Sequence, residues 1–125
     1  MTIIEAITKS EASRAGLASD ADKIRWLSAL DGRIKCELIN TREGSQWADA
    51  FVGYCEEEEP DTELLVPHPY DEVYLRYLEA QIDYASGEIA RYNNSALAFE
   101  AAFEAFAAYY RRTHAPLART SVRYF

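Results

Sequence analysis

Four stretches of the chain place apolar residues three and four positions apart, the spacing of one helix face. The first covers residues 2–13. Its stripe is Ile3, Ile4 and Ile7, and Thr2 and Glu5 stand at capping-box spacing. Gly16 interrupts the pattern. Ser19, Asp20 and Asp22 then offer a capping oxygen and first-turn acids for a second helix, reaching about Asn40. Ile24, Leu27, Leu30, Ile34 and Leu38 form its face, widened by Trp26 and Ile39, with Gly32 a weak point inside it. A third helix is expected from Pro69 or Tyr70, where Asp71 and Glu72 suit the positive end, to about Tyr92. Its apolar positions include Tyr70, Val73, Tyr74, Tyr77, Leu78, Ile82, Ala85 and Ile89. Asn93-Asn94-Ser95 reads as a break that caps a last helix over residues 96–113. There Leu97, Phe99, Phe103, Phe106 and Tyr110 form a broad aromatic face with alanines between them. Arg111, Arg112 and His114 suit the negative end, and Pro116 stops the helix.

The helical period is lost over residues 41–69, where Gly44, Gly53, Pro60, Pro67 and Pro69 punctuate the chain. Trp47, Phe51, Val52 and Tyr54 supply apolar mass for a short irregular hairpin. Glu56, Glu57, Glu58 and Glu59 form an acid run extended by Asp61 and Glu63; charges this close repel, which calls for a solvated tip. Leu64-Leu65-Val66 reads as a short extended piece, because the residue before each proline disfavours helix. Residues 117–125 alternate loosely and read as an edge strand or docking arm. The expected fold is therefore mainly α. It is a small four-helix bundle with an irregular or short β insertion between helices two and three and an extended C-terminal tail. Residues 1–116 form one domain and 117–125 a basic arm.

A chain of 125 residues is long enough for one domain that buries about two thirds of its unfolded surface. The apolar share of 49% and charged share of 27% exclude disorder for most of it. The net charge of −8 argues against general binding of DNA phosphate, which needs clustered Lys and Arg. That charge is uneven: the first 104 residues carry −12 and the last 21 carry +4, all from Arg111, Arg112, Arg119 and Arg123. Cys36 and Cys55 are too few for a secreted disulfide scaffold and read as ordinary cysteines in or beside a core in a reducing compartment. With only His68 and His114 beside them, no zinc spacing arises. No basic region followed by an apolar run marks a secretory signal, and no stretch approaches a membrane span.

Motifs of chemistry are missing too. There is no glycine-rich phosphate loop, no H-E-x-x-H and no G-x-S-x-G. The acid run lacks the spacers and central glycine of a calcium loop. Asp71 and Glu72 are sequence neighbours and point to different sides of a helix, so they suit a helix start better than acid–base catalysis. No enzyme, cofactor or metal is expected. The tyrosines are more telling. Tyr70, Tyr74, Tyr77, Tyr84 and Tyr92 are spread around the third helix, and tyrosine suits a partly buried contact with another chain. The rim of the chain's own core is the alternative place for them.

Several strings carry a family likeness: residues 23–32 (KIRWLSALDG), residues 62–67 (TELLVP) and 69–72 (PYDE), and residues 74–84 (YLRYLEAQIDY). The Tyr92-Asn93-Asn94-Ser95 string and residues 109–114 (YYRRTH) continue it. Together they resemble structural-cluster proteins of phages and prophages of Gram-positive bacteria. These are similar in size and helix pattern to the head–tail connector (adaptor) proteins of long-tailed bacteriophages. The resemblance implies a structural subunit of the virion neck, made in the host cytoplasm. Such a subunit joins a ring, often twelvefold, that docks on the portal protein, receives the next neck or stopper protein and extends the DNA channel. It implies no catalytic residue. Portal contact would fall to Arg111, Arg112, Arg119, Arg123, Tyr124 and Phe125. Neighbouring subunits would meet at Tyr74, Tyr77, Tyr84 and Tyr92. Glu56, Glu57, Glu58, Glu59 and Asp61 would form an acidic rim past which DNA moves without being gripped. Other readings are a tail-completion factor, an assembly chaperone or a small acidic DNA mimic.

Overall fold

The computed structural model describes residues 1–38, 53–54 and 62–114. Within them the chain is mainly helical: α1 (Ile3–Ser13), α2 (Asp20–Glu37), α3 (Glu72–Ala85) and α4 (Ile89–Thr113). Helix α3 is the hub of this small bundle. It packs against the other three, α1 also meets α2, and α4 lies mainly along α3.

The first two helices start where their caps are. Thr2 Oγ1 accepts the Glu5 N–H at 3.2 Å and the Glu5 carboxylate accepts the Thr2 N–H at 2.9 Å, completing the capping box. Ser19 Oγ accepts the Asp22 N–H at 3.2 Å. Ile3, Ala6, Ile7 and Ser10 are the buried side of α1, whereas Ile4 faces outward. Ile3 and Ile4 are sequence neighbours about 100° apart around the helix and cannot share one buried line. Leu27, Leu30, Ile34 and Leu38 form the buried line of α2 as expected, with Ile24 and Trp26 at its margin. The helix ends at Glu37, with Leu38 as its C-cap, rather than at Asn40. Cys36 lies exposed on α2, not in the core.

The expected break at Asn93-Asn94-Ser95 is wrong. The chain leaves α3 three residues after Ile82, through Ser86, Gly87 and Glu88, and all three of the suspected breakers lie inside α4. Gly87 has φ of +76°, where a side chain would clash with its own backbone. Its N–H donates to the Tyr84 carbonyl at 3.1 Å and the Ser86 N–H to the Ile82 carbonyl at 2.9 Å, satisfying the end of the helix. The turn leaves α3 and α4 lying along one another. Tyr77 meets Phe99 at 5.0 Å between ring centroids, and Tyr70 stacks on Tyr109 at 4.8 Å. The Arg33 guanidinium of α2 sits 4.6 Å from the Phe103 ring centre, covering one side of the aromatic row.

The segment before α3 runs extended beside the N-terminus. Ile3 N–H donates to the Thr62 carbonyl and Leu64 N–H to the Met1 carbonyl, each at 3.0 Å. The result is an isolated antiparallel bridge between Thr2 and Glu63, and the described residues contain no longer strand. Leu64 and Val66 enter the core beside Ile3, Leu30, Val73 and Leu78. Each such side chain contributes roughly 1.5–3 kcal/mol on burial. The hairpin expected around Trp47 and Phe51 lies outside the described residues, as does the arm at 117–125.

Candidate interaction surfaces and buried polar nodes

Two aspartates sit where the helical pattern calls for apolar residues. Asp31 falls on the line Leu27–Ile34–Leu38 of α2, and Asp83 follows Ile82 near the end of α3; both are fully buried. Each is satisfied by a different chemistry, as a buried carboxylate must be.

Asp31 is held by neutral donors. The Tyr74 hydroxyl donates to its Oδ1 at 2.6 Å. Its Oδ2 accepts from the Tyr54 hydroxyl at 2.6 Å and from the Leu65 N–H at 3.1 Å. Tyr74 Oη in turn accepts the Val66 N–H at 2.7 Å. Burial pushes the Asp31 carboxyl above the usual aspartate range, against the three hydrogen bonds that favour its charge. The Tyr74 phenol is also pushed up, by burial and then by the neighbouring Asp31 charge. Ser28 Oγ accepts the Tyr54 N–H at 3.0 Å. Gly53 precedes it at φ +92°, and a Cβ there would stand 2.6 Å from that hydroxyl oxygen. The node thus ties Tyr54 and Leu65, which flank the acid run in sequence, to one carboxylate oxygen.

Asp83 is held by charge. Arg14 donates through Nε to Oδ1 at 2.7 Å and through Nη2 to Oδ2 at 3.0 Å, the two-pronged geometry that suits a carboxylate. The Ser95 hydroxyl donates a short bond to Oδ2, and Arg91 Nη1 lies 3.9 Å from Oδ1. Burial pushes this carboxyl up, but Arg14, Ser95 and Arg91 together hold it below the usual range. Ser95, expected to cap a helix, thus pins the middle of α4 to α3. A third pair closes the α1–α2 corner: buried Lys23 donates to Glu11 at 3.3 Å, while Glu11 accepts the Gly16 N–H at 3.0 and 3.1 Å. The Gly16 hydrogen bond, then Lys23, holds the Glu11 carboxyl low.

All three nodes were legible only as oddities: a charged residue next to or on an apolar line. Their partners are not local, since Arg14 and Asp83 are 69 positions apart.

The expected interface tyrosines separate. Tyr74 is a core residue with no surface to offer another chain, and its placement in a subunit interface is corrected. It reaches inward because it faces α2 across α3's most buried line. Tyr77 is half-buried against Phe99. Tyr84 is 64% exposed and its ring packs tilted by 57° on Tyr92, with centroids 5.3 Å apart. Ile89, one turn before Tyr92, is 60% exposed, and the three make an apolar tip at the α3–α4 turn; Leu97, 70% exposed, lies further along α4. Arg111 and Arg112 are exposed in the last turn of α4. Arg119, Arg123, Tyr124, Phe125 and the acids Glu56, Glu57, Glu58, Glu59 and Asp61 lie outside the described residues.

His68 is exposed, 3.6 Å from an Asp71 oxygen, and His114 stacks on Tyr110 at 3.9 Å. Among the described residues no cluster of His, Cys, Asp and Glu is arranged to hold a metal ion, and no helix is long and apolar enough to cross a membrane. No family model, curated protein or solved structure matches this chain.

Proposed function

We propose that the chain is a structural subunit of the neck of a long-tailed bacteriophage or prophage, docking on the portal and linking head to tail. The observation that carries this reading is the apolar tip of Tyr84, Ile89 and Tyr92 at the α3–α4 turn, with Leu97 also exposed further along α4. Large apolar side chains this exposed, close together, suit a protein contact. The resemblance of the strings over residues 23–32 and 62–84 to phage structural-cluster proteins supports it, as does the split between an acidic body and a basic end.

In this reading the tip, with Tyr77 at its inner margin, packs on the neighbouring subunit of a ring of about twelve. Such an interface joins unlike faces, so it closes only as a ring. Arg111 and Arg112, with Arg119, Arg123, Tyr124 and Phe125, meet acids of the portal protein. The acid run Glu56–Glu59 with Asp61 borders the channel, where like charge keeps passing DNA from adhering. The next neck or stopper protein binds the far side. No catalysis, cofactor or membrane is involved.

The test is electron microscopy and co-sedimentation of the purified chain with its portal protein. Rings on the portal are expected. Tyr84→Asp with Leu97→Asp should abolish rings while leaving the helical circular dichroism intact. Arg111→Glu with Arg112→Glu should weaken portal capture and its salt dependence. Absence of both capture and rings overturns the proposal.

A further inference from the structure

The C-terminal half of α4 presents an outer face that no other described residue is shown to contact. Glu100, Ala101, Glu104, Ala105, Ala108, Arg111 and Arg112 are all exposed, and α4 is backed mainly by α3, with Arg33 of α2 on Phe103. Among the described residues, two acids and two bases stand on this face without an ion pair, whereas three exposed pairs form elsewhere on the helices at i,i+3 or i,i+4 (Asp22–Arg25, Arg33–Glu37, Glu72–Arg76). The reason is spacing. One turn before Arg111 and Arg112 lie Ala107, Ala108 and Tyr109, so no acid of the same helix is in reach.

We infer that this face binds a second copy of the chain, α4 against α4, antiparallel about a two-fold axis between residues 106 and 107. At about 100° per residue, Glu100, Glu104 and Arg111 fall within about 40° of one another around the helix and so lie on one flank. A two-fold axis brings that flank opposite itself. In this register Arg111 of one copy stands level with residue 102 of the other, about 3 Å along the axis from both Glu100 and Glu104 at 1.5 Å per residue. The symmetric contact repeats on the other half. Ala105 meets Ala108 across the seam and Ala101 comes level with Arg112. Alanine at these positions lets the helix axes approach to about 8 Å, which brings the flanking charges into range. The overlap covers residues 99–114, about 24 Å of helix. It leaves the Tyr84 tip outside.

A two-fold contact joins like faces and stops at two copies, unlike a ring. The inference does not rest on the neck reading. It shares Arg111 with the portal-facing set, so pairing and portal docking would compete for that side chain.

Sedimentation velocity on the full chain tests it. A mass near twice 14.2 kDa is expected at low salt, dissociating as salt rises. Arg111→Glu should weaken pairing by about tenfold or more, because it sets acid against acid at both ends. Adding Glu100→Arg and Glu104→Arg to that variant should restore pairing. With Cys36→Ser and Cys55→Ser as background, Ala105→Cys with Ala108→Cys should form an interchain disulfide on oxidation. These sites are on the surface, so unchanged circular dichroism is expected throughout. A monomer under all conditions, or a dimer that Arg111→Glu leaves unmoved, overturns the inference.

Discussion

Tyr74 of α3 donates its phenolic hydrogen to Asp31 of α2 at 2.6 Å, with both side chains fully buried. The same oxygen of Tyr74 accepts the Val66 N–H. One hydroxyl therefore links two helices and the extended segment before α3. Tyr74→Phe keeps the ring but orphans both a carboxylate oxygen and a backbone N–H. A loss of about 2–3 kcal/mol in unfolding free energy is expected. Tyr77→Phe, on the half-buried ring beside Phe99, should cost less than about 0.5 kcal/mol. Urea denaturation of the two variants measures the contrast.

The two buried aspartates should give the stability–pH curve opposing contributions. Asp31 is raised above its ordinary value of 3.8, so between that value and its folded pKa the folded state holds a proton that the unfolded chain has lost. Its contribution is fully present below that value and fades as pH rises through the folded pKa. Asp83 is lowered, so its contribution is present above 3.8 and is lost as pH falls through its folded pKa. The deficit of Asp83→Asn relative to the parent chain should therefore shrink on acidification, and that of Asp31→Asn should grow. Denaturation midpoints from neutral pH down to the carboxylate range check both signs.

Arg14 is the two-pronged partner of Asp83 among the described residues, and its loss leaves a buried carboxylate with a serine hydroxyl and a more distant arginine. Arg14→Ala should destabilise by about 3 kcal/mol, in the range for breaking a buried pair from one side. Arg14→Lys should recover only part, because an ammonium cannot span both oxygens. Thermal melts of the two variants compare them.

The position of the α3–α4 turn makes a local prediction. Gly87→Ala should cost about 1–2 kcal/mol from its positive φ, since nothing lies within 4 Å of a Cβ there and crowding adds nothing. Asn93→Ala and Asn94→Ala lie on exposed positions inside α4 and should each stabilise by up to about 0.7 kcal/mol. A break at Asn93 would predict the reverse. Melting temperatures decide it.

Helix number, the caps at Thr2 and Ser19, the buried line of α2 and the aromatic face of α4 were all written in local spacing, because capping and amphipathicity act over one or two turns. The α3–α4 turn misled for the same local reason. Three polar residues look like a break, yet Asn93 and Asn94 sit comfortably on an exposed helix face, and Ser95 has a buried acid to bind. The glycine that must adopt a positive φ carried the true signal. Periodicity placed Tyr74 among the apolar positions of its helix, and residue type, since tyrosine suits a half-wet site, made it an interface candidate. Only the approach of α2 to α3 made it a core residue.

The sequence by itself determined that the chain is helical, acidic in its body and basic at its end, since these follow from residue types and near-neighbour spacing. Tertiary structure decided which charges are structural. Asp31 and Asp83 look like surface acids until Tyr54, Tyr74, Leu65, Arg14 and Ser95 arrive from positions 12 to 69 residues away to satisfy them. It also decided which face stays unused. That α4 is backed mainly by α3, leaving Glu100, Glu104 and Arg111 without an ion pair among the described residues, follows from how helices pack, and packing depends on contacts that no local pattern specifies.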